Sequence, residues 1–218
     1  MKIKYPRFFN KLLFCAYLLT SLWSGDALAQ NEGLNSPDGR LTIVFETIAD
    51  NQASEEGGQL VYSVTFQDQA LIDRSALSLE LQDQTPLGKG VKIISTEESS
   101  IDQSYELIAG KTSSVKDQYN ALTIHLQEYG IPALNLIVEA RAYNDAVAFR
   151  YIVPEQSDME EFRLTGERTE FKISKDAITY AQILPNFLHS YESEYVKLPI
   201  SAFSHQGSVV NDALIGLP

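Results

Sequence analysis

Leu60-Val61-Tyr62-Ser63-Val64-Thr65-Phe66 sets an apolar or aromatic residue at every second position, and Leu77-Ser78-Leu79-Glu80-Leu81 repeats the pattern cleanly. Successive side chains of a strand point to opposite faces, so each run has one face to bury and one to wet. Working outward, Leu41 to Phe45, Leu122 to Leu126, Leu134 to Tyr143, Val147 to Val153 and Thr169 to Ile173 read the same way. Turn chemistry separates them: Ser36-Pro37-Asp38-Gly39, Glu56-Gly57-Gly58, Thr85-Pro86-Leu87-Gly88, Gly130-Ile131-Pro132 and Asn144-Asp145. No window of a dozen residues carries a capped apolar stripe of helical period. The polar patches Glu97 to Ser104 and Glu155 to Glu161 read as solvated loops. The spacing predicts an all-β chain, folded as a large antiparallel β-sandwich.

The first residues carry a different signal. Lys2, Lys4, Arg7 and Lys11 precede an apolar run from Leu12 to Trp23, followed by small residues at Ala27 and Ala29. This is the pattern of a secretory signal peptide over residues 1–29, with cleavage expected between Ala29 and Gln30. The apolar run is about half the roughly 20 residues that a spanning helix needs, so no membrane span is expected after cleavage. Residues 30–218 then form one domain, exported to the periplasm or secreted. Cys15 is the single cysteine and lies in the leader, so the mature chain is expected to hold no disulfide and no thiolate metal site.

The chain has 17 basic and 29 acidic residues. Loss of the leader removes four basic residues and Asp26, leaving 13 basic against 28 acidic and a formal charge of −15. A surface of that sign repels phosphate backbones, and no basic stripe occurs, which excludes nucleic acid as a partner. The chain stops soon after the apolar run from Val209 to Leu217, with no polar tail, and is expected to continue in a longer protein.

Six strings, in this order and spacing, carry a resemblance. They are Ser36-Pro37-Asp38-Gly39-Arg40, Leu60-Val61-Tyr62-Ser63-Val64, Lys116-Asp117-Gln118-Tyr119-Asn120, Asn144 to Tyr151 (NDAVAFRY), Glu167-Arg168-Thr169-Glu170-Phe171 and Tyr191-Glu192-Ser193-Glu194-Tyr195. Together they resemble the N-terminal domain of glycoside hydrolase family 97, bacterial exported α-glucosidases and α-galactosidases. The resemblance implies a super-sandwich preceding a (β/α)₈ catalytic barrel. The barrel is absent here, and the last strands of the sandwich are expected to be missing too. Ala146 departs from the glycine the family often has in that turn.

The resemblance also implies a role. In the family a Tyr-Glu-x-x-Tyr segment of the sandwich lends a carboxylate to a calcium ion at the barrel's active site, which places the metal-ligand role on Glu192, with Glu194 as the alternate. Calcium takes six to eight oxygen ligands, so one glutamate supplies only a fraction of a site. Read without the resemblance, Glu192 is an exposed loop carboxylate flanked by two packing tyrosines. Phe149-Arg150-Tyr151 reads as a half-buried strand, Phe149 and Tyr151 inward and Arg150 outward, more than as a sugar contact. Tyr119-Asn120 borders the active-site mouth or, the stronger reading, Asn120 fixes a strand-entry turn. His125, His189 and His205 show no metal-ligand spacing. The adjacent pairs Glu55-Glu56, Glu97-Glu98 and Glu160-Glu161 point to opposite faces and cannot flank one glycosidic bond. No catalytic residue is assigned, and the isolated chain is expected to be inactive. The expected function is thus the N-terminal sandwich of an α-glycoside hydrolase acting on α-linked oligosaccharides. The alternative is a stand-alone carbohydrate-binding or adhesion module of the cell envelope.

Overall fold

The computed structural model describes residues 31–49, 57–184, 188, 190–203 and 212–216. The strands are β1 (Asn31–Asn35), β2 (Leu41–Ala49), β3 (Gly58–Phe66), β4 (Gln69–Leu81), β5 (Val91–Glu106), β6 (Ser114–Glu128), β7 (Asn135–Ala142) and β8 (Val147–Ile152). They continue with β9 (Leu164–Thr169), β10 (Lys172–Ile173), β11 (Ile178–Leu184), β12 (Val196–Pro199) and β13 (Asp212–Gly216). The one helical element among the described residues is a 3₁₀ turn over Ile200–Phe203. Every pairing is antiparallel, as the alternating runs predict.

Two layers form the body. In one, β1, β2, β3 and β4 lie side by side, and β4 also pairs with β9 and β10; in the other, β5, β6, β7 and β8 follow in order. A single residue pair, Gly58 opposite Val91, joins them. The inward faces supply the core: Ile43 and Phe45 of β2, Leu60, Tyr62 and Val64 of β3, Leu122, Ile124 and Leu126 of β6, and Leu136 and Val138 of β7. Each such side chain contributes about 1.5–3 kcal/mol by leaving water, which matters in a domain with no disulfide to lean on.

An aromatic cluster ties the layers at one end. Tyr62 packs 5.0 Å from Phe149, which meets Phe45 edge-on at 6.2 Å. The buried Tyr62 hydroxyl donates to the Glu170 carbonyl at 2.8 Å, and Tyr151 shares a 2.9 Å hydrogen bond with Thr169 across β8 and β9. Burial pushes both phenols up to about 12, so they serve as neutral hydrogen-bonding groups.

Gly88 closes the turn before β5. Its φ is +97°, a backbone conformation that side chains rarely adopt, and a Cβ would sit 2.5 Å from the Leu77 carbonyl oxygen. That close approach lets the Gly88 carbonyl accept from Leu60 N–H at 2.9 Å while Leu87 pairs with Leu79.

Two expectations fail here. Glu97 to Ser104 is no loop but the middle of β5, paired residue by residue with β6 from Glu97–Thr123 to Ser104–Lys116. This part of the ribbon is solvated on both faces, so its backbone pairing leaves no apolar alternation to read. The run Thr169 to Ile173 is not one strand. Glu170 and Phe171 break it, and the break moves the chain from pairing with Leu77–Leu81 of β4 to pairing with Ile72 and Asp73. The Glu170 carboxylate secures the break by accepting from Ala76 N–H at 2.9 Å.

Candidate functional site

β11, β12 and β13 make a separate three-stranded sheet. Its buried residues Ala181 and Leu184 lie outside the main core cluster. Tyr191 to Tyr195 is the stretch that leads into β12, and one side chain shapes it. Gln182, 2% exposed on β11, donates through Nε2 to the Tyr191 carbonyl at 2.8 Å and to the Ser193 carbonyl at 2.6 Å. Catching two carbonyls two residues apart requires a bend. Tyr191 makes it at φ +59°, a left-handed conformation uncommon outside glycine.

The bend turns the segment outward. Glu192 and Glu194 are exposed, and so are Tyr191 and Tyr195, at 44% and 61%. The expected packing tyrosines are therefore absent: the segment is held through its backbone by a buried amide and presents its side chains to solvent. The neighbouring 3₁₀ turn is fixed in the same way, Ser201 donating from its N–H and hydroxyl to Asp176 at 2.8 and 2.9 Å, which lowers the pKa of that carboxylate.

Among the described residues, no three His, Cys, Asp or Glu side chains come together to hold a metal ion. An exposed carboxylate is a hard oxygen ligand of the kind calcium takes, but Glu192 and Glu194 fall short of six to eight oxygens.

The other candidates separate. Phe149 and Tyr151 pack on the core and Arg150 points outward to bond Glu139 at 2.6 Å, as the alternation predicts. Asn120 is corrected: it lies within β6, not at a strand-entry turn, and its Nδ2 donates across the layers to the Asn35 carbonyl at 2.8 Å. There it borders a crevice of about 320 Å³ shared with Asn35, Glu98 and Ser100. Tyr119 sits on the opposite face of β6, buried beneath Arg141. His125 stands 3.7 Å from Glu97. His189, His205 and the pair Glu55-Glu56 lie outside the described residues.

The first string also meets the fourth, turn against turn. Asn144 Oδ1 accepts from Asp38 N–H at 3.0 Å, while Asp38 accepts from Arg40 N–H at 3.0 Å and Ser36 Oγ at 2.7 Å. Hydrogen bonding from the Arg40 backbone, then from Ser36 and the Arg40 side chain, holds the Asp38 carboxyl at about 2. The turn that opens β2 is thereby fastened to the turn that opens β8. The family model for the glycosyl-hydrolase 97 N-terminal domain matches residues 34–216, a span that contains all six strings.

The chain belongs to the glycosyl-hydrolase 97 N-terminal family.

Relatives agree with the assignment. A curated retaining alpha-galactosidase from Bacteroides thetaiotaomicron is 24% identical over 204 residues, covering 89% of this chain and 28% of its own length. A variant of a Glycoside Hydrolase Family 97 enzyme from Pseudoalteromonas sp. strain K8 matches with a TM-score of 0.66 and 26% identity over 77% of this chain and 24% of that one. The enzyme from the same strain in complex with panose gives the same figures. The family 97 domain described here thus spans less than a third of the length of its relatives. Sequence reading missed Gln182, which shapes the segment carrying Glu192. Its signal was a lone amide in the apolar run Ile178 to Leu184.

Proposed function

We propose that this chain is the N-terminal sandwich of an exported α-glycoside hydrolase, and that it completes the substrate cleft of a (β/α)₈ barrel and lends Glu192 to a calcium ion there. The observation that carries the reading is the outward presentation of Glu192 by a segment locked from behind through Gln182. A purely structural loop gains nothing from such a bend, whereas a donated ligand needs a rigid base. The same sheet leaves Ile178, Tyr180 and Val196 exposed, apolar surface suited to an adjoining domain. The Bacteroides relative is a retaining alpha-galactosidase, which supports an α-linked sugar as the substrate class.

Calcium, when bound, would polarise a substrate oxygen. Glu192 supplies a negative oxygen, with Glu194 as the alternate, while Gln182 holds the backbone that aims them. Calorimetry tests the reading. The isolated chain is expected to bind calcium no tighter than about 10⁻⁴ to 10⁻³ M, the range of weak extracellular modules, and to leave a p-nitrophenyl α-glucoside intact. Addition of a family 97 catalytic barrel as a separate polypeptide should produce tighter binding that Glu192→Gln weakens. Micromolar binding by the isolated chain, or turnover that depends on Glu192, would overturn it.

A further inference from the structure

The outward face of β7 and β8 carries a depression of about 250 Å³ that shares no residue with the Tyr191–Tyr195 segment. Leu136, Val138, Ala140 and Ala142 point into the core, so the alternate residues Glu139 and Arg141 face out. Directly opposite on β8 stand Arg150 and Ala148, respectively. Directly paired residues share a face, so these four side chains form a square.

The square is charged unevenly. Arg150 reaches Glu139 through Nε at 2.6 Å and through Nη2, both to the same oxygen, Oε2. Oε1 of Glu139 is left with no hydrogen bond among the described residues. Arg141 has no ion-pair partner among the described residues either. Its guanidinium is held instead by π contact, 4.6 Å from the centre of the Tyr119 ring, and that ring lies 5.0 Å from Tyr143. Hydrogen bonding to Tyr143 is the main reason its pKa is raised. Two tyrosines thus fix an arginine without neutralising it. The result is a rigid donor beside a vacant carboxylate acceptor, with the exposed Ala148 methyl as an apolar floor.

We infer that this depression binds one neutral sugar ring through two adjacent hydroxyls, one donating to Glu139 Oε1 and its neighbour accepting from Arg141. A neutral polyol uses donor and acceptor together. An anion would use Arg141 alone and would meet Glu139, the nearby Asp117 and a strongly acidic body. The volume lies just under the range of about 300–1,000 Å³ typical of drug-sized ligands, which suits a single ring.

Titration of the ¹⁵N-labelled chain with maltose and melibiose, followed by NMR, tests the inference, with glucuronate and inorganic sulfate as anionic probes. At least one neutral disaccharide should bind saturably with a Kd of about 1 mM, as few contacts allow. Arg141→Gln and Glu139→Ala should each weaken it at least tenfold, roughly the effect of one lost charged hydrogen bond. Tyr143→Phe, which removes only the hydroxyl beside Arg141, should weaken it several-fold and stands in should either of the others fail to fold. Arg163→Gln, at an exposed arginine that donates to Gln82 and does not line the depression, should change nothing, and because no residue of the depression belongs to the Tyr191–Tyr195 segment the outcome is independent of the proposed calcium role. Absence of saturation by both disaccharides, preference for the anions, or binding indifferent to all three pocket variants would overturn the inference.

Discussion

Replacing Glu128 by glutamine should make the domain more stable at neutral and alkaline pH and leave it unchanged in acid. Glu128 ends β6 on the inward face, in step with Leu122, Ile124 and Leu126, and is 8% exposed. Its Oε1 finds no hydrogen-bond partner among the described residues. Desolvation alone raises its pKa from 4.5 to about 7. The unfolded carboxyl ionises near 4.5, whereas the folded one keeps its proton to about 7. The folded state therefore binds the extra proton, and the contribution is fully present below 4.5 and lost as pH rises through 7. Each unit of that window costs about 1.4 kcal/mol, giving an upper bound near 3.4 kcal/mol and, allowing for water reaching the group, about 2–3 kcal/mol above pH 7. Glutamine keeps the shape and never ionises. Urea unfolding at half-unit intervals from pH 4 to 8 reads the difference between Glu128→Gln and the native chain, a difference in which carboxylates common to both cancel. It should be near zero at pH 4 and open between 4.5 and 7. A gap of the same size at every pH, or a variant less stable at pH 8, would refute the reasoning.

Three further outcomes follow from named contacts. Tyr62→Phe removes the 2.8 Å hydrogen bond from the buried tyrosine to the Glu170 carbonyl and should cost about 1 kcal/mol in chemical denaturation. Gly88→Ala must place a methyl against the Leu77 carbonyl at a φ of +97° and should cost at least about 1–3 kcal/mol, measured as a lowered thermal midpoint, whereas Gly110→Ala, at φ +123° but with open space around it, should cost less. Gln182→Ala frees two carbonyls of the Tyr191–Tyr195 segment; amide exchange should accelerate in that segment and into β12 while β6 and β7 stay protected.

Much of the body was legible because one-sided burial writes itself into the sequence with a period of two. β2, β3 and β6 each contain an expected run, β7 and β8 lie within the runs Leu134 to Tyr143 and Val147 to Val153, and the end of β4 coincides with Leu77–Leu81. The same alternation on β6 continues past Leu126 to Glu128, so a carboxylate aimed at the core was readable in principle. The acid excess is likewise a property of sequence alone, and the ordered strings carried the family resemblance. What could not be read is what depends on pairing between distant residues. The polar half of β5 is a strand only because β6 lies beside it. Asn120 resembles a turn residue until β1 is brought against it, 85 residues away in sequence. Glu192 could be named from its string, but its outward aim required a glutamine on another strand to grip the backbone beneath it. Periodicity is local and survives in one dimension; a hydrogen bond across layers exists only once the chain has closed on itself.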